Sequence, residues 1–129
     1  MNTEETIDKE QKFTVRKDKR FFTFKEYANL TINESRLLHS YLAKINPQNI
    51  KTKKRQIPIK WITDVFHLKT DVGIMKAIKT FKTHNNWIDI STGEYITIFE
   101  TIELGLNCNY EKVVIMKCSP EAEKYFFPD

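Results

Sequence analysis

The tightest constraint in this sequence is the tetrapeptide Thr31, Ile32, Asn33, Glu34 set directly ahead of an apolar stripe. A threonine at a helix N-cap and a glutamate three residues later each accept a hydrogen bond from the other's unpaired backbone N–H, so the pair marks a helix start. Leu37, Leu38, Tyr41, Leu42 and Ile45 then recur three and four residues apart and share one helical face. Asn46 and Pro47 stop the helix, because proline lacks an N–H and disfavours helical backbone in the residue before it. A core must therefore be built against this helix.

Downstream, Ile57 and Ile59 alternate as a short half-buried strand, which Pro58 places at a sheet edge. Ile62, Val65 and Phe66 predict a second helix of about two turns, running from Lys60 to Phe66. A connection from His67 to Thr70 follows. Thr70 or Asp71 is suited to cap a third helix, whose Ile74, Ala77, Ile78 and Phe81 define a buried face, although Gly73 is a poor helix former at its start. Trp87 to Ile90, a turn over Ser91 to Glu94, and Tyr95 to Glu103 read as a β-hairpin. Leu104 to Glu111 reads as a loop and Lys112 to Cys118 as a last strand. Ser119 and Glu121 open a short terminal helix that ends before Pro128. The predicted class is α+β. Its order is that of a winged helix-turn-helix with a small antiparallel β-sheet, in which the second of two helices joined by a short turn enters a DNA groove.

A chain of 129 residues suits one domain. Residues 1–20 lack an apolar period and end in Arg16, Lys17, Lys19 and Arg20, so they read as a flexible basic arm, with a single domain over 21–129. Phe21, Phe22 and Phe24 are expected to pack on that domain. Net charge is +4, but it is unevenly placed: Met1 to Lys82 holds 18 Lys or Arg against 9 Asp or Glu, and the remainder holds 3 against 8. A positive first half attracts phosphate and releases counterions, which points to double-stranded DNA as partner.

The candidate DNA-binding residues are Lys76, Lys79, Thr80 and Thr83 on the outer side of the third helix, with Lys53, Lys54, Arg55, Lys60 and Lys69 from the same half. Long amides and arginines are scarce on that helix, so contact is expected mainly with phosphates. Trp61 and Trp87 read as core rather than as base-stacking platforms. His39, His67 and His84 have no metal-ligand spacing, and no glycine-rich phosphate loop or nucleophile grouping occurs. No enzyme activity, cofactor, metal or small-molecule substrate is expected. Cys108 and Cys118 read as reduced, buried thiols, and no apolar run is long enough for a membrane span, so a cytoplasmic protein is expected.

The stretch NLTINESRLLHSYLAKINP resembles the first winged-helix domain of plasmid replication initiators of the Rep family. Leu30, Thr31, Glu34, Arg36, Leu37 and Leu38 occupy the places of that family's opening motif, and Ile45, Asn46 and Pro47 its close. The likeness continues through Ile57, Ile59, Val65, Phe66, Ala77 and the strand from Trp87 to Ile90, covering about residues 22–127. It implies a module of a longer protein that binds replication-origin repeats, contacts phosphates and self-associates as a homodimer. The alternatives are a protein-interaction or dimerisation module without DNA binding of its own, and a stand-alone winged-helix transcriptional regulator.

Overall fold

The computed structural model describes residues 18–45 and 53–127. Helix α1 (Ile32–Lys44) starts with the expected reciprocal cap: Thr31 N donates to Glu34 Oε1 at 2.9 Å, and Glu34 N to Thr31 Oγ1 at 3.1 Å. Leu37, Leu38 and Tyr41 are fully buried. The stop assigned to Asn46 and Pro47 lies outside the described residues.

Strand β1 (Lys54–Pro58) leads directly into α2 (Ile59–Val65), which opens one residue earlier than the sequence pattern predicts. Ile57 and Ile59 are both buried, one from the strand and the other from the first turn of the helix. After a turn containing His67 in the left-handed region comes α3 (Val72–Thr83), with Ile74, Ala77, Ile78 and Phe81 buried. Asp71 precedes α3 but its side chain does not cap it. The carboxylate instead takes the ammonium of Lys112, a stronger partner than a neutral backbone N–H. A Cβ on Gly73 would press on the side-chain amide of Asn33, so this glycine leaves room for the α1 side chain that lies over the start of α3.

The β-rich half departs from the expected hairpin. Strands β2 (Asn86–Ile88) and β3 (Tyr95–Thr97) form a two-stranded antiparallel sheet. Strands β4 (Phe99–Leu106) and β5 (Lys112–Cys118) form a longer hairpin, and a three-stranded antiparallel sheet has the order β1-β5-β4. The run from Tyr95 to Glu103 is thus divided at Ile98 between two sheets. Asn85 causes the division: its carbonyl accepts from Ile98 N at 2.9 Å, and its side-chain amide exchanges two bonds with the backbone of Phe99. Leu104 to Leu106 are not loop but strand, because they pair with Val114, Val113 and Lys112. Only residues 107–111 turn. As expected of a proline strand, β1 lies at an edge.

Trp87 is fully buried, and its ring meets those of Phe21, Phe24, Tyr27 and Phe81 at centroid distances between 5.4 and 6.4 Å. Phe99 continues the stack to Tyr41 and Phe126. Phe21 and Phe24 pack as expected, whereas Phe22 is exposed. Ser119 caps the final turns, a 3-10 turn followed by α4 (Glu123–Phe126). Arg20 pairs with Asp18 at 2.7 Å and reaches Phe126 O at 3.3 Å, so the packed body extends back to Asp18 and these two cannot be counted as a free arm. Of the rest of the expected arm's basic cluster, Lys19 is exposed in the first described turn, and Arg16 and Lys17 lie outside the described residues. Cys118 is buried and Cys108 is exposed, a correction that follows from the place of Cys108 in the turn between β4 and β5. Among the described residues, no helix is long and apolar enough to cross a membrane.

Asp89 ties three distant segments together. It accepts hydrogen bonds from Ser91 Oγ and N, Thr23 Oγ1 and Tyr125 OH. These donors, Ser91 first, hold its carboxyl well below the usual carboxylate range. A depressed carboxylate contributes stability above its unfolded pKa, here near 3.8, and that contribution is lost as pH falls further. Asp89→Asn is therefore expected to lower the melting temperature at neutral pH. It should also flatten the loss of melting temperature on acidification below about pH 4, measured by circular dichroism against wild type.

Candidate nucleic-acid interface

On α3, the apolar residues fix which side chains remain for other work. Taking Ile74, Ala77, Ile78 and Phe81 as the inner face, Val72, Lys76, Lys79 and Thr83 fall within an arc of about 60° on the opposite side. All four are exposed. Lys82 is exposed on the flank of this stripe, and Lys69 is exposed in the turn before the helix. Among the described residues, Lys69, Lys76, Lys79 and Lys82 take part in no ion pair. Their charges are therefore available to an outside partner.

The helix is held in this rotation by α1. Glu34 is only 2% exposed, and its carboxylate accepts from Thr31 N and from Thr80 Oγ1 at 2.8 Å, with His84 Nδ1 at 3.6 Å. Burial alone would raise the pKa of Glu34, but the hydrogen bonds from Thr31, Thr80 and His84 outweigh it and hold the carboxyl below its ordinary value. Thr80 is therefore spent inside the molecule. The sequence pattern places it on the outer face, yet it stands at the flank where α3 meets α1. Thr83 stays exposed, and its hydroxyl donates to Thr80 O at 2.7 Å.

Where α2, the turn and the tip of the β4-β5 hairpin meet, a groove of about 510 Å³ is lined by Lys60, Lys69 and Lys112 together with Thr63 and Thr70. Asp71 and Glu111 also line it, which leaves a small positive excess. Lys60 pairs with Asp64 at 2.9 Å, but both side chains are well exposed, and such surface pairs contribute little and exchange readily.

Lys53, Lys54 and Arg55 stand elsewhere. Lys54 pairs with Lys117 across the sheet, at the end of β1 opposite Pro58 and α2. Lys53 Nζ contacts Glu123 Oε2 at 2.5 Å, and Arg55 Nε donates to Lys44 O at 2.8 Å. The structure thus sets Lys60 and Lys69 along one groove and Lys76, Lys79 and Thr83 along one exposed arc of α3, places Lys53, Lys54 and Arg55 toward the far end of β1, and turns the Thr80 hydroxyl inward to Glu34. Val72 and Lys82 are the residues that sequence reasoning passes over. A full helical projection of α3 would have found both, since neither falls on its apolar side.

Within the hairpin, β5 carries two cations and both are paired, Lys112 with Asp71 and Lys117 with Glu100, whereas β4 and the turn after it add none. From Phe99 to Glu111 the chain carries Glu100, Glu103 and Glu111 and no Lys or Arg, with Leu104, Leu106 and Tyr110 exposed. Neither tryptophan offers an open stacking face: Trp87 is enclosed, and Lys44 Nζ lies 4.3 Å from the ring centroid of the half-buried Trp61. In comparison with known proteins, no family model, no curated protein and no solved structure matches the chain.

Because Thr80 binds a buried carboxylate, Thr80→Val is expected to cost about 1–2 kcal/mol of stability in denaturant unfolding. The same variant removes no cation, so the salt dependence of any DNA binding should be unchanged.

Proposed function

We propose that this chain is a DNA-binding winged-helix module that acts in the cytoplasm on double-stranded DNA, chiefly through phosphate contacts. The observation that carries the reading is the outer stripe of α3, where Lys76 and Lys79, flanked by Lys69 and Lys82, are exposed and without ion-pair partners among the described residues. The order α1, β1, α2, α3, β4, β5 and the sheet order β1-β5-β4 support it, with β2-β3 as an insertion between α3 and the wing. In this reading α2 and α3 are the helix-turn-helix, and the groove at their turn receives a phosphate. The resemblance of residues 30–47 to the Rep family supports replication-origin repeats as the natural target, within an initiator.

A second reading is favoured by one feature of the wing. Strand β4 closes the described sheet on one side, and Leu104 and Leu106 are exposed along it on a strand that carries Glu100 and Glu103 and no Lys or Arg of its own. This is the composition of a protein contact rather than of a phosphate clamp, and it suits a dimerisation module.

Fluorescence anisotropy with a labelled 30-base-pair duplex separates the two. Affinity is expected to fall steeply between about 50 and 200 mM salt, and Lys76→Gln combined with Lys79→Gln should reduce the slope of log K against log salt by about 2. Lys53→Gln should leave that slope unchanged. Binding that ignores salt, or a double variant with the parental slope, overturns the DNA reading. Self-association abolished by Leu106→Glu, with no DNA bound at any salt, establishes the second.

A further inference from the structure

The outer stripe of α3 contains one residue whose chemistry a phosphate does not explain. Val72, the first residue of the helix, is 68% exposed, and it does not pack against the core cluster. An aliphatic, β-branched residue there gains nothing from burial and is a poor helix former besides. Its direction is fixed, because the next residue, Gly73, sits against the Asn33 side chain of α1, and Ile74 is fully buried. Val72 is thus pointed outward, one turn ahead of Lys76 and in line with Lys79.

We infer that Val72 reads the C5-methyl group of thymine in the major groove. This rests on the DNA reading above and deepens it. In a helix-turn-helix the N-terminal residues of the second helix are the ones that reach base edges, while later residues and flanking loops hold the backbone. The four base pairs present one apolar group in that groove, the methyl of thymine, and small aliphatic side chains are its complement. The lysines at Lys69, Lys76 and Lys79 bracket Val72 with charges suited to the phosphates on either side, so the stripe combines one apolar contact with a cationic frame. It predicts a preference for methyl-bearing grooves rather than for a full sequence.

The test uses four synthetic duplex polymers, read by anisotropy competition at fixed salt. Alternating dA-dT is compared with alternating dA-dU, which lacks only the methyl; alternating dG-dC is compared with its C5-methylcytosine form, which restores a methyl at the same place. The wild-type chain is expected to bind the methylated member of each pair about fourfold more tightly, the worth of burying one methyl group. Val72→Asn, which puts a polar amide where the aliphatic group stood, should lose the preference, and the Lys76→Gln, Lys79→Gln variant should keep it at lower affinity. Equal binding of both members by wild type, or a preference that survives in Val72→Asn, overturns the methyl assignment while leaving salt-dependent DNA binding intact. Absence of salt-dependent binding to any polymer overturns both.

Discussion

The Glu34 carboxylate, buried between α1 and α3, closes the first turn of one helix and takes the Thr80 hydroxyl of the other. A charge withdrawn from water persists only when its oxygens are well supplied with donors, and here the donors come from two elements at once. The consequence is geometric. α3 cannot roll about its axis without abandoning a buried anion, so the arc holding Val72, Lys76, Lys79 and Thr83 is a fixed property of the fold. The close seat of Gly73 on Asn33 acts in the same direction one turn earlier.

How much of this was legible in the sequence varied with the range of the interactions involved. Helix α1 was legible because its cap is a contact between residues three apart and its stripe repeats along one segment. The buried face of α3 was legible for the same reason. The strands were less so. Tyr95 to Glu103 reads as one β-prone run, and the residue that divides it, Asn85, acts from ten residues or more upstream through its side-chain amide. No periodicity within the run carries that information. Asp71 looked like a cap and became an ion-pair partner because Lys112, far along the chain, reaches it.

The candidate site shows the same limit. Lys53, Lys54 and Arg55 were grouped with the helix lysines because they are near in sequence, yet β1 carries them to the other end of the sheet and two of them are engaged there. Thr80 was read as outward since its position on the projection is a flank, and only the presence of α1 decides which way a flank faces. Lys60, Lys69, Lys76, Lys79 and Lys82 stay exposed on α2, the turn and α3, whereas β4 and the turn after it carry Glu100, Glu103 and Glu111 and no Lys or Arg. Two adjoining surfaces of opposite character give the molecule a polarity that net charge alone conceals.

Asn85 also has an architectural consequence. By bonding to Ile98 and Phe99 through both backbone and side chain, it brings the chain leaving α3 back to within hydrogen-bond reach of the start of β4. Residues 86–97 are therefore a closed excursion, whose entrance and exit are stitched side by side. The sheet beyond begins from this stitch, while the excursion itself is moored to segments far away in sequence: Trp87 is sunk in the aromatic core, the backbone of Ile88 and Ile90 exchanges hydrogen bonds with Thr23 and Lys25, and Asp89 holds Thr23 and Tyr125. The small β2-β3 sheet is thereby the clasp that fastens the first described turns and the last helix onto one body.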